Sequence, residues 1–409
     1  MEKFEIIITT LFGLESLVAR EVRRLGYETT SVEDGRVTFM GDNEAVCRAN
    51  MWIRTGERVL IKTAEFTAVT FDELFEKTKA VDWSKWIGKN DAFPVKGYSL
   101  KSTLASVRDC QAIIKKATAE SLSNKYGIEW LPEDGANYQI QFSIFKDKVT
   151  LMIDTSGEGL HKRGYRQHSN VAPLKETLAA AMVELSHWKF EYPLCDPFCG
   201  SGTIPIEAAM IKRNIAPGIN REFAAQNFAW IDEELWVKSV EEAKSLERNV
   251  PLEIYAYDIE NEYVELTNEN ARIAGVGDFV KAEKADARKI HFDMPYGTII
   301  CNPPYGERIG EIKECEKLYK EIGQSFNALD KWSYYIIASN ENFESLFGKK
   351  ANKKRKLYNG MIKCNLYQFF GEQQVNLYRL KFSIGIFYNV TICKLFSIIC
   401  NSKLLYKIV

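Results

Sequence analysis

Histidine is scarce in this chain. Only His161, His168, His187 and His291 occur in 409 residues, and none stands in a His-x-x-x-His or Glu-x-x-His frame. A metal centre or a histidine-based triad therefore lacks its usual residues, and no metal is expected. The nine cysteines include one close pair, Cys195 and Cys199, with neither a second pair nor a neighbouring histidine. Small buried thiols without disulfides are expected, and no basic-plus-apolar leader precedes Phe4. Both features point to a reducing, cytoplasmic setting. Net charge is missing too: 54 Lys+Arg face 55 Asp+Glu, leaving −1, so no global charge marks a polyanionic partner. Solenoid-period repeats and low-complexity linkers are absent.

What remains is an ordinary globular composition, 46% apolar and 27% charged, on a chain long enough for two or three domains. Ile6–Thr10 is a β-branched run, and Leu14, Leu17, Val18, Val22 and Leu25 then recur at helical spacing before Gly26. Val37–Phe39, a helix around Ala45–Asn50 and Val59–Glu65 complete a small α+β unit, residues 1–65. A second unit spans 66–156, with helices from Phe71 and over Asp109–Leu122, an extended Phe93–Lys96, and alternating strands at Ile140–Ile144 and Val149–Ile153. From 157 to 372 the rhythm is β then α. Leu194–Asp196, Ile254–Asp258, Thr298–Cys301 and Tyr334–Ala338 read as buried strands, Val280–Lys284 as a further candidate strand, and Thr203–Met210 and Tyr263–Ala274 as helices between them. The fold class expected is α/β, a Rossmann-like doubly wound parallel sheet behind two α+β units.

Three strand ends carry chemistry. Asp196-Pro197-Phe198-Cys199-Gly200-Ser201-Gly202-Thr203 turns from strand to helix, where glycines let a ligand approach the backbone and the helix N-terminus offers free N–H groups. It is neither a Gly-x-Gly-x-x-Gly fingerprint nor a phosphate loop with its lysine. Asp258 closes the next strand, where a carboxylate suits a ribose, and Asp286 follows the third. The sharpest motif is Asn302-Pro303-Pro304-Tyr305, continued by Gly306-Glu307-Arg308. Its prolines stiffen a loop of acceptors that fits a neutral exocyclic amine, and Tyr305 offers a π-face for a splayed base.

Together these motifs resemble the class I S-adenosylmethionine-dependent methyltransferases that modify exocyclic amines of adenine or guanine. The resemblance implies S-adenosylmethionine as cofactor, with Gly200 and Gly202 at its methionine part, Asp196 on its amino group, Asp258 on the ribose and Asp286 on the adenine amine. Phe198, Thr203, Ile259 and Ala287 stand beside them, and Asn302, Pro303, Pro304 and Tyr305 form the catalytic loop. Lys101-Ser102, Asp109–Leu122, Asp154–Arg166 and Lys353–Gly360 further resemble the THUMP-containing RNA methyltransferases. The nearest type is the bacterial 23S rRNA guanine-N2 methyltransferase, which has a ferredoxin-like domain (here 1–65) before THUMP (66–156). RNA is the partner implied, 23S rRNA before tRNA, with Lys162, Arg163, Arg166, Lys353, Lys354 and Arg355 as basic contacts. The rival readings are a tRNA guanine-N2 methyltransferase, a DNA N6-adenine methylase and a non-catalytic RNA-binding protein.

The resemblance ends near residue 372. Residues 375–409 hold five basic and no acidic residues, and 22 of these 35 are apolar; without them the body carries −6. Their uncharged stretch Phe382–Cys393 has 12 residues, short of the ~18–20 that span a bilayer, so no membrane partner is expected. An altered reading frame or stop codon near Gln373 is the expected origin of this tail.

Overall fold

Alternating and helical apolar spacings become two seven-stranded sheets. The computed structural model describes residues 2–166, 174–189, 191–306, 309–329 and 331–371; the tail at 373–409, with Glu307 and Arg308, lies outside them.

The N-terminal part runs β1 (Phe4–Thr10), α1 (Glu15–Arg24), β2 (Thr29–Glu33), β3 (Arg36–Gly41), α2 (Asn43–Trp52) and β4 (Gly56–Thr67), then α3 (Phe71–Lys79), β5 (Val95–Leu100), α4 (Val107–Tyr126), β6 (Ile140–Phe145) and β7 (Lys148–Asp154). Side-chain oxygens of Asp42, Thr70 and Ser106 cap α2, α3 and α4 by accepting from backbone N–H groups in the first turn. The sheet order is β2-β3-β1-β4-β7-β6-β5. β4 has 12 residues, long enough to pair with β1 near its start and with β7 from Leu60 to Thr67. Both α+β units thereby share one sheet.

The C-terminal part continues with α5 (Glu176–Ser186), β8 (Leu194–Asp196), α6 (Thr203–Lys212), α7 (Glu233–Ser245), β9 (Ile254–Asp258), α8 (Asn261–Ile273), β10 (Val280–Lys284), β11 (Thr298–Cys301), α9 (Ile309–Asn327), β12 (Ser333–Ala338), α10 (Phe343–Phe347), β13 (Lys353–Asn359) and β14 (Ile362–Phe369). Its order is β10-β9-β8-β11-β12-β14-β13. The first five strands are parallel, whereas β12, β14 and β13 pair antiparallel. The doubly wound sheet is thus parallel over five strands and ends in a hairpin that the sequence reading left out. Chain order reverses between β8 and β11, and at such a switch point the strand carboxyl ends open a crevice.

Separate apolar clusters cover the faces of this sheet, one around Leu178, Ile206, Ile254 and Ile337, the other around Tyr319, Phe326, Ile336 and Phe347. The segment before α7 packs into the N-terminal core instead: Phe228 stacks on Tyr138 at 4.0 Å, and Trp230 meets Trp86 at 5.1 Å. Arg48 of α2 holds Glu242 of α7 through Nε at 2.8 Å and Nη2 at 2.7 Å. Among the described residues no helix is long and apolar enough to cross a membrane.

Candidate active site

The carboxyl ends of β8, β9, β10 and β11 converge on one crevice of about 480 Å³, within the ~300–1,000 Å³ usual for small-molecule sites. Gly202 precedes α6 at φ 80°, and a Cβ there would lie 2.8 Å from Thr267. Only glycine fits a left-handed backbone pressed against a neighbouring helix. From α8, Thr267 Oγ1 donates to the Gly200 carbonyl at 2.9 Å and Asn270 Nδ2 to the Ser201 carbonyl at 2.8 Å. Those two bonds hold the turn open toward the ligand.

Phe198 and Gly200 line the crevice from this turn, and Asp258 and Ile259 from the next strand end. The Asp258 carboxylate accepts from the N–H groups of Gly200 and Glu260, both at 3.1 Å, so it ties two strand ends together. Asp286 and Ala287 line the third side. Asp286 is already engaged: Arg288 donates Nε at 2.8 Å and Nη2 at 2.7 Å to its carboxylate and holds its pKa below the ordinary value. A ligand amine must share this carboxylate with Arg288.

Asp196, Gly202 and Thr203 stand behind the wall. Asp196 is 1% exposed, accepts from Phe198 N–H at 3.1 Å and has no cationic partner among the described residues. Burial, reinforced by the nearby Asp258 and opposed by the Phe198 bond, pushes its pKa up to about 8. A buried carboxyl without a cation beside a crevice suits an incoming ammonium, such as the amino group of a methionine moiety. The donor set therefore fits S-adenosylmethionine.

Across the crevice, Asn302, Pro303, Pro304 and Tyr305 follow β11. Tyr319 of α9 donates its hydroxyl to the Pro304 carbonyl at 2.7 Å and braces the loop from below. Tyr305 differs from an open stacking platform: its ring packs on apolar core, and its hydroxyl donates to Asn302 Oδ1 at 2.6 Å. Asn359 Nδ2 in turn reaches the Tyr305 hydroxyl at 3.4 Å. Asn359 and Ile362, from the β13–β14 hairpin, complete the lining. Sequence reasoning included Asn359 in a matching run but gave it no role; the signal was its place beside Gly360 at a turn.

The basic residues divide. Lys162 and Lys353 are exposed, and Lys354 pairs with Glu344 at 2.7 Å. Arg163 is 2% exposed and serves Glu207, the Leu160 carbonyl and the Arg54 carbonyl, so the expectation that it meets RNA is corrected. Arg166 likewise turns inward, to Glu176 at 2.7 Å. Arg355 donates Nε to the Gly13 carbonyl at 3.1 Å and docks the hairpin on the N-terminal part. Each guanidinium is engaged by a carboxylate or carbonyl outside its own charge cluster, Glu207, Glu176 or Gly13, which local charge counting does not register.

Against known proteins, a family described as "RMKL-like, methyltransferase domain" matches residues 163–368, "RlmL ferredoxin-like domain" residues 5–60 and "THUMP domain" residues 68–154. The chain belongs to the RMKL-like methyltransferases. Within that family it is 50% identical over 377 residues, 91% of this chain and 97% of the relative, to "Putative RNA methyltransferase YpsC" of Bacillus subtilis (strain 168). The structure of SMU.472, "a putative methyltransferase complexed with SAH", is 41% identical with a TM-score of 0.86, over 91% of this chain and 99% of that one. A Listeria monocytogenes structure named as "a predicted N6-adenine-specific DNA methylase" is 47% identical with a TM-score of 0.86, over 91% and 97%.

Proposed function

We propose that the chain methylates the exocyclic N2 of a guanine in 23S rRNA. The observation that carries this reading is the Asn302–Tyr305 loop facing the strand-end acids across one crevice, in a chain that also has a THUMP domain. THUMP and the name of the Bacillus subtilis relative favour RNA over the DNA named for the Listeria protein.

S-adenosylmethionine, when bound, supplies a methyl group activated by a sulfonium. This chain's residues align and desolvate the amine. Asn302 Oδ1 accepts one amine hydrogen beside the hydrogen it takes from Tyr305, and the Pro303 carbonyl accepts the other, which directs the nitrogen lone pair into the crevice. The Tyr305 hydroxyl, bonded to Asn302 Oδ1, fixes that amide beside the extruded guanine. No strong general base is needed, because the methylated amine is acidic enough to lose its proton to water. Asp196, Asp258 and Asp286 hold the cofactor; Lys162 and Lys353 supply phosphate contacts.

Tritiated methyl transfer to isolated 23S rRNA, tRNA and DNA tests the reading. Label in N2-methylguanosine of 23S rRNA is expected; label in tRNA or in DNA N6-adenine replaces it with the corresponding rival. Asn302→Ala is expected to abolish transfer while S-adenosylhomocysteine still binds in calorimetry, and undiminished turnover by that variant removes the assignment.

A further inference from the structure

Met361 is 97% exposed, the most exposed large apolar side chain described in the protein. It stands in the two-residue turn between Asn359 and Ile362, which pair with each other and both line the crevice. An apolar side chain held in water at the rim of an active site has no stabilising role in the fold. The hairpin presenting it is anchored at three points. β14 pairs with β12 on one side, Arg355 fastens β13 to Gly13, and Asn359 reaches the Tyr305 hydroxyl. Exposed Lys356 and Lys363 flank the tip, Lys363 within 3.5 Å of the exposed Glu341 carboxylate, and Phe12, 47% exposed, meets the Tyr358 ring at 6.4 Å. A strip of aromatic, apolar and cationic groups thus leads from the N-terminal domain to the crevice mouth.

We propose that Met361 is a wedge that enters the RNA base stack and fills the space left by the extruded guanine. The proposal rests on the RNA reading above. A methylase acting on a base within a folded RNA must unstack it, and an apolar side chain occupying the gap offsets that cost. A thioether is polarisable and adapts to either neighbouring base face. Lys356 and Lys363 would meet phosphates on either side of the gap.

The test compares wild type, Met361→Ala and Met361→Leu on 23S rRNA from a strain lacking the enzyme, with tRNA from the same strain as second acceptor. Expected for Met361→Ala is a kcat/KM for the accepting RNA lower by about tenfold, largely restored in Met361→Leu. S-adenosylhomocysteine affinity and the melting midpoint should stay at wild-type values, because the side chain packs on nothing. Equal kcat/KM for Met361→Ala and wild type overturns the wedge. Wild type that labels neither RNA overturns the RNA reading itself, a failure seen before any variant is compared.

Discussion

Asp196 holds a carboxyl whose buried position at the end of β8 keeps it protonated to about pH 8. In the unfolded chain the same group titrates near ~3.9, so between these values the folded state binds the extra proton. Stability of the free protein accordingly falls as pH rises from about 4 to 8. Asp196→Asn removes that slope and should raise the melting midpoint at pH 8 by at least about 3 °C. An arriving ammonium reverses the preference and expels the proton. S-adenosylhomocysteine affinity should then climb with pH toward 8, by up to about tenfold per unit, with proton release detectable by calorimetry in buffers of different ionisation enthalpy. Affinity that stays flat from pH 6 to 8 would refute the assignment. The position of Asp196 at a strand end before a glycine turn was legible because that is a local pattern; its protonation was not, since that depends on the burial the whole sheet imposes.

Helix α9 illustrates what an element contributes beyond its periodicity. Gly323 sits in its interior, where glycine costs ~1 kcal/mol relative to alanine, yet a Cβ there would lie 2.2 Å from the Phe347 carbonyl oxygen. The clash is with backbone and outweighs the gain in helix propensity. Gly323→Ala should lose about 1–3 kcal/mol in urea unfolding. Because the same helix carries Tyr319 to the Pro304 carbonyl, turnover should fall more than cofactor affinity; a variant as stable and active as wild type would show that the helices yield freely. The sequence marked β8, β11 and β12 well, since strands buried on both faces read as apolar runs. It did not mark the β13–β14 hairpin, because Lys353-Lys354-Arg355-Lys356 on an edge strand looks like a solvated basic run. Edge position permits that composition, and the hairpin supplies Asn359 and Ile362 to the crevice.

At the scale of the molecule, the N-terminal and catalytic parts are joined by buried charge. Glu207 of α6 accepts from Arg163 at 3.2 Å and lies 3.6 Å from the Arg54 guanidinium. Glu21 of α1 meanwhile accepts the backbone N–H groups of Arg54 and Thr55 at 3.0 and 3.2 Å. Around this core Arg221 donates to the carbonyls of Ser156, Glu158, Gly159 and Lys162, so the connection between the two parts is wrapped rather than free. The near-zero net charge of the chain concealed this arrangement, and proximity to the junction made Arg163 and Arg166 look like RNA contacts when the junction closes over them. Glu207→Gln preserves shape but leaves two buried guanidiniums without their anion. Breaking a buried network by one partner costs about 3–5 kcal/mol, far more than the loss of an exposed pair such as Lys238–Glu234. The expected result is a large fall in the melting midpoint, with protease cutting first within 157–166, while Lys238→Gln changes neither. A Glu207→Gln protein that melts and resists cleavage like wild type would mean that the other contacts between the parts, the apolar seam of Tyr138, Phe228 and Trp230 with the Arg48–Glu242 and Arg355–Gly13 bonds, hold them in register without it.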